Sequence, residues 1–398
     1  MATSILRGHK LSGQNAINSL FRELGGVTEV VTESAYRQAR QKLKPELFVD
    51  LNELVVSDFY QLYEADGGVR RWEGRRLCGV DGSYLNLPDT EELRAEFSVQ
   101  ECQHAAGDRV QALSSICYDL LNDVALSAGL GAKQAEKNFL FEIHRAALKP
   151  GDVVVLDRLY ADYAVMAFEV GQGCDFVIRL KRSGFRAVDE FWQSGEVDKV
   201  VVLEVGKGQR AFVQEKGLLE RLEVRLVKVE LENGEIEVLG TSLLDAIKYP
   251  RAELKKVYGW RWGEEVWIGR IKNIFELERF SGKSKLVIEQ DFYGMIFLAS
   301  LESILSKSDE SQLQKQGVER GRKYMVQVNH AVSYLALVDY CVALLLDSSR
   351  SIGEVLEELH HLFKTNPAPI RPGRKLPREK RSASHQLWHH KYRRRSLS

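Results

Sequence analysis

The sequence LCGVDGSYLNL, residues 77–87, decides the fold because it is an apolar run with one internal aspartate, ended by Pro88. Such a run is typical of a buried strand, and proline cannot continue a strand's hydrogen-bonded ladder. A second run, DVVVLD at 152–157, is wholly apolar between two acids and predicts a strand covered on both faces. Two predicted central strands therefore carry or end on an aspartate, Asp81 and Asp157.

The neighbouring segments predict an α/β layer with a mixed sheet. Strand patterns at 111–119, 124–130 and 175–180 are interleaved with helical patterns at 132–148 and 160–170. The next stretch, 197–242, contains the runs VVVLEV, RAFVQE, LEVRLVKVEL and EIEVLGTSL, and Asn233-Gly234 is a strong hairpin signal. We therefore predict an all-β insertion after the mixed sheet.

These patterns divide the 398 residues into five regions. Apolar spacing of three and four residues predicts helices both before the first strand and after the insertion. The predicted regions are a helical N-terminal region with possible DNA binding (1–76), an α/β core (77–182 and 251–290), a β-strand insertion (183–250), a helical C-terminal region (291–363) and a basic tail (364–398).

Composition excludes several classes of protein. Apolar residues make up 44% and charged residues 28%, so the chain can fill a core. Five scattered cysteines without a C-x-x-C pair argue against a disulfide framework or a cysteine zinc site, and favour a reducing cytoplasm. The most apolar run, 334–346, is short and contains Asp339, so no membrane span is expected.

The net charge of zero hides an asymmetry. Residues 371–398 hold ten Lys and Arg against one acid, which leaves the remaining 370 residues with an excess of acids. The tail also interleaves Trp388 and Tyr392 with its basic groups. This mixture predicts a segment that binds a polyanion such as nucleic acid.

Three acids are candidates for chemistry at the predicted sheet: Asp81, Asp157 and one of the pair Glu264 and Glu265. Acids on central strands and on a covering helix converge beyond strand ends, where α/β sheets bind ligands. Their repulsion favours a divalent cation, and carboxylates select Mg²⁺ or Mn²⁺. Two such ions support in-line displacement at phosphorus.

The helix after the insertion presents four functional side chains within an arc of roughly 60°. They are Tyr258, Arg261, Glu265 and Lys272. By the same angles Glu264 falls beside Val257 and Ile271 on the packing face, so Glu265 is the preferred acid. The alternative is a solvated helix face with an Arg261–Glu265 ion pair.

These residues resemble those of the DDE transposases of bacterial insertion sequences, in the branch called the IS-four family, which includes Tn-five-like enzymes. The resemblance rests on the sequences DGS at 81–83 and LP at 87–88, DRLY at 157–160, the signature Y-(2)-R-(3)-E-(6)-K at 258–272, and FSGK at 280–283. The chain departs from the family pattern at Leu159, where glycine is usual, and at Glu264, where an apolar residue is common.

The resemblance implies a ribonuclease H-like catalytic core in which Asp81, Asp157 and Glu265 are catalytic and hold two Mg²⁺ ions, with Mn²⁺ able to substitute. It also implies that Tyr258, Arg261 and Lys272 contact DNA phosphates near the cut. Further basic residues expected to contact DNA are Arg179, Lys181, Arg182 and Lys283.

The resemblance implies a bacterial, nucleoid-associated enzyme that acts as a homodimer on double-stranded DNA. It would cut the terminal inverted repeats of an insertion sequence and join them to target DNA, through a hairpin intermediate. Two alternatives stay open: a metal-dependent nuclease of the same fold that cuts without joining, and a non-catalytic DNA-binding protein derived from a transposase.

Overall fold

The structure is a computed structural model that describes residues 1–8, 13–24, 31–100, 108–132, 136–231 and 234–371. Most of the predicted basic tail, from residue 372 onward, lies outside the described residues, and so does Asn233. In the described part of the chain, four helices precede the first strand: α1 Ala2–Leu6, α2 Gly13–Glu23, α3 Glu33–Arg40 and α4 Glu46–Tyr63.

The central part alternates strands and helices, with one-turn 3₁₀ helices at His144–Ala146 and Arg158–Tyr160. Its elements are β1 Leu77–Asn86, α5 Glu91–Glu96, β2 Ser98–Gln100, β3 Arg109–Asp119, β4 Val124–Gly131, α6 Glu136–Glu142, β5 Val153–Leu156, α7 Tyr163–Gly171, β6 Asp175–Leu180, α8 Arg186–Gln193, β7 Asp198–Glu204, α9 Arg210–Glu215, β8 Arg221–Glu230 and β9 Ile236–Thr241.

The remaining elements are mainly helical. They are α10 Arg251–Trp260, α11 Trp262–Asn273, α12 Lys285–Glu319, β10 Val326–Gln327, α13 His330–Leu345, α14 Ile352–Thr365 and β11 Ala368–Pro369. Of the helices in the described ranges, none is long and apolar enough to cross a membrane.

Within the described residues, nine strands form one mixed sheet. Its order is β2-β3-β1-β5-β6-β9-β8-β7, and β4 also pairs with β3. β1 runs antiparallel to β3 but parallel to β5, and β5 runs parallel to β6. The predicted α/β class with a mixed sheet is confirmed, and the two aspartate-bearing runs are neighbouring central strands.

The insertion extends this sheet at its far side. β9 pairs antiparallel with β6, and β8 and β9 form the predicted hairpin, in which Gly234 has a φ of 82°. The prediction that RAFVQE is a strand is wrong, because these residues form α9. Phe212 and Val213 both pack into the core, and neighbouring residues of a strand would instead face opposite sides.

Alternating residues of the central strands divide the core between the two faces of the sheet. Leu77, Val153 and Val155 share a cluster with Trp267 and Ile271 of α11. Intervening residues of the same strands, including Cys78 and Val154, pack with α7 on the other face. All of these side chains are buried, so both faces are covered as the apolar runs predict.

The helices at the two ends of the chain pack on each other. Phe48 and Phe59 of α4 are buried, and α4 lies against the 35-residue helix α12 and against β4. Arg40, at the end of α3, forms an ion pair of 2.7 Å with Asp291 of α12. The N-terminal helices therefore share a core with the C-terminal helices.

Candidate active site

Asp81 and Asp157 lie side by side on neighbouring parallel strands. The register pairs Gly79 of β1 with Val155 of β5; Asp81 lies two residues further along β1, and Asp157 is the residue after the end of β5. The Gly82 N–H donates to Asp81 Oδ1 at 2.9 Å, and the Leu159 N–H donates to Asp157 Oδ1 at 2.5 Å. Local backbone donors thus hold both carboxylates at one edge, beyond the end of β5.

Burial and like charge perturb the first of these carboxylates. Burial raises the pKa of Asp81 to about 6, while the Gly82 N–H and the Arg261 guanidinium oppose the rise. The nearby carboxylates of Asp157 and Glu136 contribute to this rise in the pKa. A buried acid beside two other acids is an electrostatically strained arrangement that a cation would relieve.

Glu136, the first residue of α6, is a site residue that the sequence analysis did not identify. A Cβ atom on Gly82 would lie 2.6 Å from its Cδ, so the carboxylate rests directly on β1 beside Asp81. Burial raises the pKa of Glu136, and Asp157 adds to that rise. Acids are common at the start of helices, so Glu136 by itself gives no signal in the sequence. The sequence feature that could have indicated its approach is Gly82, because a glycine within a strand allows a close contact.

The predicted helix with four functional groups is divided into α10 and α11, which meet at Arg261. Arg261 Nη2 donates to Glu265 Oε1 at 2.8 Å, and its guanidinium lies 5.8 Å from the centre of the Tyr258 ring. The Glu265 side chain is 35% exposed, so a ligand can approach it. Tyr258, Arg261 and Glu265 therefore form one contiguous surface, as their spacing predicts.

Lys272 belongs to the same helical region but contacts β1. Its Nζ donates to Ser83 Oγ at 2.8 Å and to the Tyr84 carbonyl at 2.6 Å. Burial lowers its pKa, and Glu278 opposes that change. Lys272 thus attaches α11 to the strand that carries Asp81, and does not contact the cluster around Arg261 in this structure.

Glu264, the alternative acid, is fully buried on the packing face of α11, as its helix angle predicts. A Cβ atom on Gly79 would lie 2.4 Å from its Oε2. Burial raises the pKa of Glu264 well above its usual value; the Asp81 carboxylate adds to the rise and the Asp81 backbone N–H opposes it. Neither oxygen accepts a hydrogen bond of normal geometry from the described part of the chain.

The other predicted DNA contacts lie around this edge or on the surface. Arg179 of β6 pairs with Glu237 at 2.5 Å, and its charge acts on Tyr258. The side chains of Lys181, Arg182 and Lys283 are exposed, and Arg182 pairs with Asp189 at 3.1 Å. Arg179 therefore lies close to the site, whereas the other three extend along the surface.

The donor chemistry of the site fits a divalent cation. In the described ranges, no three Asp, Glu, His or Cys side chains approach closely enough to hold one metal ion together. Carboxylate oxygens are nevertheless the donors that Mg²⁺ prefers, and Oε2 of Glu136 is buried with no hydrogen-bond partner among the described residues. A bound divalent cation would neutralise the repulsion between these carboxylates.

Residues 72–301, more than half of the chain, match the family model described as the transposase DDE domain. The matched segment contains Asp81, Asp157 and the whole 258–272 signature. The chain therefore belongs to the DDE transposase family, and the ribonuclease H-like class that the resemblance implied fits the observed mixed sheet.

The chain is 26% identical to the transposase InsG for insertion sequence element IS4 of Escherichia coli (strain K12) over 291 residues, 72% of this chain and 63% of that protein. It thus spans less than two thirds of that relative's length, and the relationship to the IS-four branch is confirmed. A cryo-EM structure of the piggyBac transposase synaptic complex with hairpin DNA matches 94% of this chain and 76% of that chain, at 10% identity and a TM-score of 0.39. That likeness is too weak to support a conclusion.

Proposed function

We propose that this protein is a transposase that cuts DNA at the ends of an insertion sequence and joins the freed 3′ ends to target DNA. The observation that carries the proposal is the register that sets Asp81 beside Asp157, with the Arg261–Glu265 pair on the helix that packs over β1. Acids and a guanidinium at one sheet edge suit phosphoryl transfer, where positioning and charge neutralisation provide most of the catalysis.

Asp81, Asp157 and Glu265 are the residues that would hold the metal, as two Mg²⁺ ions with Mn²⁺ able to substitute. When bound, such ions lower the pKa of a coordinated water and neutralise charge that develops on the phosphodiester. Asp81 is largely buried and lies near the carboxylates of Asp157 and Glu136, so a bound cation would relieve repulsion there.

Three side chains are suited to hold phosphate beside the acids. Arg261 offers a planar fork for a phosphate oxygen pair, although Glu265 occupies part of it in this structure. Tyr258 can donate one hydrogen bond or stack on a base, and Lys272 provides a point charge next to β1. We infer that these groups relieve phosphate crowding when a cut strand bends back as a hairpin.

The proposed partner is double-stranded DNA, first the element's terminal inverted repeats and then the target. Lys181, Arg182 and Lys283 would extend the contact surface beyond Arg179, and the basic tail would add contacts that do not depend on DNA sequence. A homodimer would bridge the two element ends. The predicted association with the bacterial nucleoid follows from this partner.

The test is cleavage of labelled DNA that carries the inverted repeats flanking the gene, with a supercoiled plasmid as target. Products separated on a denaturing gel distinguish nicked, hairpin and joined DNA. We expect all three with Mg²⁺ or Mn²⁺, and loss of cleavage in Asp81→Asn with end binding retained. Cutting without joining would indicate a nuclease, and binding without cutting a non-catalytic DNA-binding protein.

A further inference from the structure

Glu136 approaches the paired aspartates from the face of β1 opposite to α11. Successive residues of a strand face opposite sides. Glu264 of α11 contacts the strand at Gly79, whereas Glu136 contacts it at Gly82, an odd number of residues away. By the same alternation Asp81, two residues from Gly79, faces the side of Glu264, and Glu136 lies across β1 from it.

The missing side chain of Gly82 provides the space for this carboxylate. A Cβ atom there would lie 2.6 Å from the Cδ of Glu136 and 2.9 Å from each of its oxygens. Gly82 lies in β1 and has no left-handed φ, so its backbone conformation does not require glycine. Close approach of Glu136 is the physical reason for a glycine next to Asp81.

Several contacts fix Glu136 in this position. The next residue, Lys137, forms an ion pair with Asp162 at the start of α7. Phe139 and Leu140 of the same helix are buried, at 2% and 0% exposure. These charged and apolar contacts anchor α6, and the Glu136 carboxylate is therefore held against β1.

The surroundings of Glu136 leave one of its carboxylate oxygens without a partner. Its Oε2 is buried and lacks a hydrogen bond of normal geometry within the described ranges. The buried Tyr160 lies close enough to interact with Glu136 and Asp81. Glu264 is fully buried and faces Asp81 from the α11 side. A buried carboxylate oxygen without a partner, close to two aspartates, is suited to ligate a divalent cation.

We propose that Glu136 is an additional ligand of the divalent-metal centre and binds the same ions as Asp81 and Asp157, from the other face of β1. This inference rests on the proposed function, because it adds a ligand to the metal site assigned there. A centre with this acid has four carboxylates from four separate elements, and its ions are held from both faces of the sheet.

The experiment measures Mn²⁺ binding to the full chain without DNA, from the electron paramagnetic resonance signal of free Mn²⁺. Glu136→Gln should weaken binding by about tenfold or more. Glu142→Gln, an exposed acid on the same helix, should bind as the wild type does. Gly82→Ala displaces the carboxylate but keeps its charge, and should also weaken binding.

A second measurement separates loss of a ligand from loss of structure. Without metal, Glu136→Gln should melt at the same or a higher temperature than the wild type, because one acid leaves a repulsive cluster. Its stabilisation by Mn²⁺ should be smaller. A lower melting temperature with an unchanged response to Mn²⁺ would show a structural role and overturn the inference.

The remaining outcomes distinguish the two proposals. If Asp81→Asn loses Mn²⁺ binding while Glu136→Gln binds as the wild type does, the inference about Glu136 is wrong and the proposed function stands. If the wild type does not bind Mn²⁺, or if Asp81→Asn binds it normally, the assigned metal centre and its additional ligand are both wrong.

Discussion

Gly79 and Glu264 are in such close contact that a Cβ atom on Gly79 would lie 2.4 Å from the Glu264 Oε2 and 2.9 Å from a methyl group of Leu120. This contact fixes which of two adjacent glutamates faces the sheet. Glu264 fills the space over Gly79, so Glu265 points along the surface toward Arg261.

We expect Gly79→Ala to lower the free energy of unfolding by about 1–3 kcal/mol, because the added methyl group overpacks a buried contact. The double variant Gly79→Ala with Glu264→Ala should recover part of this loss, since the carboxylate no longer occupies the space. Urea unfolding of the four proteins in this cycle measures the coupling. Additive losses would contradict the contact.

Variants of the two adjacent glutamates, Glu264 and Glu265, test which of them belongs to the catalytic signature. Glu265→Gln should reduce DNA cleavage by roughly 10³-fold, because the proposed metal ligand is lost. Glu264→Gln keeps the shape of the buried side chain, and burial raises the pKa of the acid that it replaces. This variant should therefore cleave DNA within a few fold of the wild-type rate. Cleavage of labelled end DNA measures both. The opposite pattern would assign the catalytic role to Glu264.

Arg261 and Lys272 are expected to act after the first cut. Arg261→Ala and Lys272→Ala should permit first-strand nicking but reduce hairpin or joined product about tenfold to a hundredfold, the cost of a lost charged hydrogen bond. Nick and hairpin are quantified separately on a denaturing gel. Equal loss of both products would place these residues in general DNA binding or in folding.

Lys272 requires a folding control because its Nζ also bonds to Ser83 and Tyr84. Lys272→Arg keeps the charge and should keep the melting temperature near that of the wild type. Full activity in both alanine variants would leave the simpler interpretation, a helix face without a role in catalysis.

Removal of residues 371–398 should lower DNA affinity and flatten the plot of log affinity against log salt concentration. Each phosphate contact that the tail makes contributes about 0.9 to that slope on duplex DNA, and the tail carries ten basic groups. Fluorescence anisotropy at several salt concentrations, with specific and unrelated duplexes, measures the change. An unchanged slope would mean that the tail does not contact phosphate.

Glu169 of α7 should make stability depend on pH. It is fully buried, with no hydrogen-bond partner for either oxygen in the described part of the chain, and burial raises its pKa to about 8, with a further rise from Asp152. The folded state therefore keeps a proton that the unfolded state loses above about pH 4. The stabilisation of the folded state by this proton is complete below that pH and is lost as the pH rises through 8.

Glu169→Gln should remove this dependence, and at pH 8 the variant should exceed the wild type by at least about 1 kcal/mol in free energy of unfolding. The measurement is urea unfolding at pH 5 and pH 8, with the exposed Glu142→Gln as control. If the wild type and Glu169→Gln differ in free energy of unfolding by the same amount at pH 5 and at pH 8, Glu169 is ionised in the folded protein.

The sequence by itself determined the central strands and the side chains that share one surface at the α10–α11 junction. Apolar runs that end on or contain an acid predict strands covered on both faces, and β1 and β5 are such strands. Helical spacing put Tyr258, Arg261 and Glu265 on one surface and Glu264 on the packing face. These features are local, because strand and helix periodicity fix the direction of each side chain.

The tertiary structure decided what depends on distant parts of the chain. Glu136 reaches Asp81 only because α6 packs over β1 and Gly82 leaves room for a carboxylate. Lys272 contacts Ser83 instead of Arg261, and RAFVQE is a helix because Phe212 and Val213 pack into the same core. Sequence patterns give the direction of a side chain on its own element, but its neighbours across the sheet are set by the path of the chain.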